Sequence, residues 1–404
     1  MQYKTYPISL LTLLLLASFA SFGAVLPTAA LPRIAQYFHI GISQAESIMA
    51  TYLLGYSLGQ LLYGPLANRW GRKSALYVGV VIALCGIFLS IIASIFHEFW
   101  LLNIARFITA LGAASGLVIS MILIKDIYDE TSARQTFAKV VLAFAFVPFL
   151  AILLGGSLTH YFSWQTMNGV MLVYVVLLTV LVSRLQETLA KENRRKLSLA
   201  TLYTSYLSLL QHGDYLRLAL LFALGGTTSY IFNALAPVVA IKTMHISAEL
   251  YGWLSIIPSL GILLGGWMSS RFAHKISALE MIIYGTSLIL IGSVILTVLF
   301  QAGMINLISL YSSALIIFCG SSLLTPNASM QALSKTMDHA NGASIMNALA
   351  LGIGGVFVYA AGHFIEHSFF TLPIALFLVG MLGMIVLMIH VKKETRVEIE
   401  ASIV

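Results

Sequence analysis

The chain has 404 residues, of which 59% are hydrophobic and only 9% are charged. A soluble domain carries roughly a quarter charged residues, so this composition excludes an ordinary soluble protein and points to one that crosses a membrane many times. The formal net charge of +7 is scattered over many short segments, which excludes a nucleic-acid footprint and makes the charge a topology signal.

A membrane-crossing helix needs about 20 apolar residues. Twelve stretches meet that need, at 8–31, 47–66, 75–95, 99–124, 137–158, 166–182, 218–241, 250–268, 281–300, 305–324, 343–364 and 372–390. The first has too long an apolar run for a cleaved signal and carries Pro27 and Pro32 where a small-residue cleavage site would stand, so it is expected to remain as a span. With the amino terminus in the cytoplasm, every Lys and Arg except Arg33, Lys242 and Arg106 falls on the inner side. That asymmetry places both termini inside.

The second span carries Tyr56 and Gln60 and ends in Gly64-Pro-Leu-Ala-Asn68-Arg69-Trp-Gly71-Arg72-Lys73. Gly64 would allow close helix approach or a tight exit, and the basic residues would hold this end at the inner surface. The fourth span contains Arg106, the charged residue placed inside an apolar stretch, with Thr109 one turn on. A guanidinium in hydrocarbon is costly and does not release its proton at ordinary pH, so Arg106 is the leading functional residue. Gly112, Gly116 and Ser120 recur every four residues, a packing face. Asp126 closes the same span, and Pro148, Gly155 and Gly156 mark a bend and close packing in the fifth.

The polar stretch 184–217, with its basic cluster Arg194, Arg195 and Lys196, separates residues 1–183 from 218–404 as a linker loop. The two halves echo each other. Gly64 to Lys73 matches Gly266 to Lys275, through Arg271 and His274, and Pro32, Ala35 and His39-Ile40 match Pro237, Ala240 and His245-Ile246. Parallel repeats of six spans imply an all-α membrane fold of two pseudo-symmetric six-helix bundles, with a ligand site near mid-membrane. Polar groups in the later spans, Tyr230, Asn233 and Asn347, join Arg106, Tyr56, Gln60 and Thr109 as candidate substrate and coupling residues.

The Gly64–Lys73 segment resembles the loop signature of the major facilitator superfamily. Gly55-Tyr-Ser-Leu-Gly-Gln60, Arg106 with Gly112-Ala-Ala, Lys125-Asp126, Trp164 and Tyr230 to Pro237 resemble its bicyclomycin/chloramphenicol-resistance (Bcr/CflA) drug-efflux branch. The resemblance implies a secondary carrier working by alternating access in the bacterial inner membrane, an exporter of the multidrug-efflux type, with Arg106 in proton coupling and substrate response. It also implies an antiporter motif at Pro148, Gly155 and Gly156, and a conformational switch at Gly64, Asn68, Arg69, Gly71, Arg72, Lys73 and Asp126.

Three positions depart from the branch: Asn68 replaces an Asp, Ile152 a second Pro, and Val25 the membrane Asp of the first span. Asn68 can hydrogen-bond but cannot form a salt bridge, which leaves Asp126 to pair with the arginines of the loop. All fifteen Asp and Glu fall in loops or at span ends, with Glu46, Glu98, Glu249 and Glu366 outside. All ten His do the same, and His39, His160 and His245 read as solvated interface residues. Without a mid-membrane acid, neutral or anionic solutes are favoured over cations.

Two other readings stay open. One is a carrier, importing or exporting, of an anionic metabolite such as a carboxylate siderophore bound by Arg106; the other is a transport-dead sensor or scaffold. No nucleophile with its base, metal-ligand cluster or phosphate loop stands out, so no enzyme, cofactor or metal is expected, and Cys85 and Cys319 read as buried apolar groups in spans. The expected partners are membrane lipid, a small-molecule substrate and a coupling proton, with the chain acting as a monomer.

Overall fold

The structure is a computed structural model and describes residues 8–128, 130–194, 199–272, 275–336, 339–364 and 369–403. Arg195, Lys196, His274 and Glu366 lie outside the described residues. Among those described, the fold is entirely helical. In chain order the helices are α1 (Leu10–Val25), α2 (Leu31–Tyr37), α3 (Ile42–Trp70), α4 (Arg72–Phe96), α5 (Phe99–Ile127), α6 (Glu130–Tyr161) and α7 (Thr166–Arg184). Then come α8 (Leu199–Gln211), α9 (Gly213–Val238), α10 (Ala248–Leu254), α11 (Ile256–Phe272), α12 (Ala278–Gln301), α13 (Leu307–Ser334), α14 (His339–Phe364) and α15 (Thr371–Ile403).

Ten helical segments are long and apolar enough to cross a membrane, with α1 and α2 counted as one and α10 and α11 as another. The more polar α3, at 29 residues, and α6, at 32 residues, complete the set of twelve. Two spans are therefore broken helices. The first breaks after Val25, where Pro27 supplies no N–H and the chain makes a 3-10 turn over Thr28–Ala30. The eighth breaks at Ser255, three residues before Pro258.

The linker is not a plain loop: its Leu and Tyr residues form α8, with Leu209 buried. The chain divides into two compact units, one running to Leu199 and adding His245–Ser255, the other comprising Ala200–Met244 and everything from Ile256.

In the first unit α5 packs against α1, α3 and α4. Small residues permit this. A Cβ on Gly116 would strike the Leu16 carbonyl, and Cβ atoms on Gly55 and Gly59 would strike Phe107 and Ala114. Gly79 of α4 and Gly112 of α5 each leave room for the other's carbonyl oxygen, and in the second unit Gly285 of α12 and Gly320 of α13 do the same. Such reciprocal glycine contacts bring backbones together where lipid offers no hydrophobic drive to associate.

The internal repeat also extends to backbone stops. His39 and His245 both take the left-handed conformation, at φ 54° and 56°. At the first, Ile40 N–H bonds the Ala35 carbonyl and His39 N–H the Gln36 carbonyl, a Schellman ending. Both side chains are exposed, as is that of His160, whereas His390 is fully buried in α15. Cys85 is exposed on α4 rather than buried.

Candidate functional site around Arg106

Arg106 sits two turns into α5 and is 9% exposed. Its Nη2 donates to the Gly23 carbonyl at 2.9 Å and to the Ala24 carbonyl at 3.3 Å. The sequence makes the first of these available: the helical donor to Gly23 O would be the N–H of residue 27, which is proline. Carbonyls at the end of α1 also carry the negative pole of its dipole.

The guanidinium carbon lies 4.1 Å from the centre of the Tyr52 ring, a cation–π contact. Each charge-assisted hydrogen bond is worth about 1.5–3 kcal/mol. A desolvated cation–π contact adds about 2 kcal/mol. Together, at about 5–8 kcal/mol, they fall between the ~3 kcal/mol that insertion scales assign to a mid-membrane Arg and the ~10–17 kcal/mol assigned to one on an isolated helix. Gly23 is needed for this stack, because a Cβ there would stand 2.5 Å from Tyr52 Oη and 2.9 Å from Met171 Cε. Val25, where the resembled branch has its acid, is buried and apolar, so backbone oxygens take the place of a carboxylate.

A cavity of about 40 Å³ adjoins Arg106, lined on its polar side by Ser90, Trp164 and Asn168 and otherwise by apolar side chains such as Pro27, Ile34 and Met171. Ser90 Oγ donates to Asn168 Oδ1 at 2.9 Å. Arg106 Nε and Trp164 Nε1 are buried and have no hydrogen-bond partner among the described residues. No acid is among the lining residues. Trp164 continues into an aromatic cluster with Tyr37 and Phe38, and Tyr37 stacks on His97.

The other candidates expected to share a site with Arg106 do not line this cavity. Thr109 donates to Ala105 O at 2.8 Å and packs where a Cβ on Gly86 would sit, so it joins α5 to α4. Tyr56 and Gln60 are buried in α3, with Gln60 Nε2 unpartnered. Tyr230, Asn233 and Asn347 belong to the second unit, where the Tyr230 ring fills the space beside Gly354. Gly23, Ala24, Tyr52, Ser90 and Asn168 were not singled out from the sequence. Pro27, four residues after Gly23, was the one available signal.

At the far end of α3 the switch motif forms a polar cluster. Gly64 neither approaches a helix nor ends one: it lies inside α3, and a Cβ there would meet nothing within 4 Å. The turn is made by Gly71 at φ 97°, and a Cβ there would also strike the Glu187 carboxylate. That carboxylate caps α4, accepting from the backbone N–H of Arg72 at 2.8 Å and of Lys73 at 3.2 Å.

The Arg72 side chain donates Nε to Asp126 at 2.9 Å and Nη1 to the Asn68 amide oxygen and the Ala67 carbonyl, each at 3.1 Å. Thr188 adds a 2.7 Å bond to Asp126, and Lys73 reaches the Ser183 carbonyl at 2.8 Å. Arg69 is exposed.

Pro148 lies inside α6. A Cβ on Gly155 would collide with the Leu26 carbonyl, and one on Gly156 with the Ala248 carbonyl. These glycines therefore let α6 pack against the break of the first span and against α10. Glu46, expected at the membrane surface, is instead 5% exposed in the second turn of α3 and has no ion pair among the described residues.

A profile described as Major Facilitator Superfamily matches residues 11–359. The chain is 25% identical over 285 residues to a bicyclomycin resistance protein homolog of Haemophilus influenzae, covering 70% of each chain. It is 25% identical over 326 residues to multidrug resistance protein D of Escherichia coli, covering 80% of each. The fold superimposes on a partially occluded, inward-open xylose transporter, XylE from E. coli, with a TM-score of 0.70 at 14% identity, over 95% of this chain and 96% of that one. With two units of related helices and a match spanning most of its length, the chain belongs to the Major Facilitator Superfamily, and its relatives include the drug-efflux transporters.

Proposed function

We propose that this chain is a bacterial inner-membrane exporter of small, neutral organic solutes of the drug type, working by alternating access and driven by protons. Its relatives named for bicyclomycin and multidrug resistance support the exporter class over an anionic-metabolite carrier or a transport-dead scaffold. The distribution of Lys and Arg supports both termini in the cytoplasm.

The observation that carries the substrate class is the company Arg106 keeps: two backbone carbonyls and the Tyr52 ring, with no carboxylate paired to it among the described residues. Cation exporters need a carboxylate to alternate between proton and substrate, and none accompanies Arg106 among the described residues. Glu46, buried and without an ion pair among the described residues, is the proton-carrying group in this reading.

Transport into proteoliposomes under an imposed pH gradient tests the reading, with chloramphenicol as the neutral solute, tetraphenylphosphonium as the cation and citrate as the carboxylate. Gradient-driven movement of chloramphenicol, lost in Glu46→Gln, supports it. Preference for tetraphenylphosphonium or citrate, or unchanged coupling in Glu46→Gln, contradicts it.

A further inference from the structure

We propose that the cavity beside Arg106 is a binding site for a small monovalent anion of the halide kind, which serves as counter-ion to the guanidinium within the first unit. Arg106 is held by two carbonyls and the face of Tyr52, which donate electron density but no formal negative charge. A buried cation without a counter-charge is the expensive case, and among the described residues no carboxylate pairs with it.

The cavity supplies what an anion needs. Two of the residues that line it, Arg106 and Trp164, are more than nine-tenths buried, and each has an N–H, Nε and Nε1, without a partner among the described residues. Because the Asn168 amide oxygen is occupied by Ser90, the NH₂ of that side chain is left as its donor. Indole and guanidinium groups cannot accept, so the lining is biased toward donors. An occupant that only accepts satisfies it better than water, which must also place its own protons.

Size narrows the class. About 40 Å³ is room for an ion or a few waters, since one water needs roughly 10–15 Å³. Drug-sized ligands occupy roughly 300–1,000 Å³. The transported solute therefore does not fit here in this conformation, and neither does a siderophore. The anion is a resident of the first unit, distinct from the cargo.

The test uses the purified full-length protein with sodium bromide replacing sodium gluconate at constant ionic strength. Bromide is expected to raise the unfolding temperature in a saturable way and to give an anomalous-scattering peak within hydrogen-bond distance of Arg106 Nε and Trp164 Nε1. Trp164→Phe keeps the ring but removes the N–H, and is expected to weaken half-saturation at least tenfold. Arg106→Leu, where it folds, is expected to abolish the response.

Equal unfolding temperatures in bromide and gluconate would overturn the proposal. So would an undiminished bromide response in Trp164→Phe, which marks a general salt effect, or a cavity occupied by water alone at the bromide edge. None of these readouts uses a transported solute, so their failure is separate from failure of the export reading.

Discussion

The Arg106 guanidinium donates to the Gly23 carbonyl, the oxygen that Pro27 leaves without its helical N–H. A proline in one span and a cation in another are thus two halves of one interaction. The break in the first span is the acceptor for the charge in the fourth.

Pro27→Ala restores an N–H that competes with Arg106 for the Gly23 carbonyl. Helix propensity favours the substitution by up to ~3 kcal/mol in a regular helix. The expected outcome is an unchanged or higher unfolding temperature with transport reduced about tenfold, equivalent to ~1.4 kcal/mol. Thermal unfolding measured beside proteoliposome transport separates the two effects.

Tyr52 offers a sharper contrast. Its hydroxyl is buried and without a hydrogen-bond partner, while its ring carries the cation. Tyr52→Phe is expected to be neutral or stabilising by up to ~1 kcal/mol. Tyr52→Leu loses the cation–π contact and is expected to cost about 2 kcal/mol. Chemical denaturation of the two variants decides whether ring or hydroxyl matters.

The motif glycines are expected to divide. Gly155→Ala drives a Cβ into the Leu26 carbonyl and is expected to destabilise by about 1–3 kcal/mol. Gly64→Ala meets open space inside α3 and is expected to stabilise by up to ~1 kcal/mol. Unfolding midpoints of both variants check this, and a damaging Gly64→Ala would show that another conformation uses Gly64 in a close approach.

At the other end of the unit, Glu187→Gln keeps one acceptor oxygen for the Arg72 amide but turns an NH₂ toward the Lys73 amide and removes the charge at the start of α4. The expected loss is about 0.3–1 kcal/mol. Glu187→Ala removes the cap and is expected to cost about 1–2 kcal/mol. Asn68→Asp adds a carboxylate beside Arg72, and is expected to slow turnover severalfold by holding this arrangement longer, as read from single-turnover transport.

The spans were legible because hydrocarbon demands long apolar runs, and the sequence repeat has a backbone counterpart in the paired left-handed histidines. Arg106 was legible as a charge out of place. Its partners were not, since they are backbone atoms of a distant helix, and no side-chain pattern announces a carbonyl freed by proline. Glu46 lies at the end of a span as its sequence position indicates, but its burial was not legible, because packing and not position sets it. Gly64 carried the motif but not the close contact, which falls earlier in α3, at Gly59 and Gly55.

The central claim is that the Arg106 charge, seated on the broken first span, serves transport rather than folding. Arg106→Leu tests it most directly, with thermal unfolding and pH-gradient-driven chloramphenicol transport measured on the same preparation. The account predicts an unfolding temperature within a few degrees of the unsubstituted protein, because an apolar side chain removes a buried charge at little cost, together with loss of gradient-driven transport. Normal transport by a folded Arg106→Leu protein would contradict it.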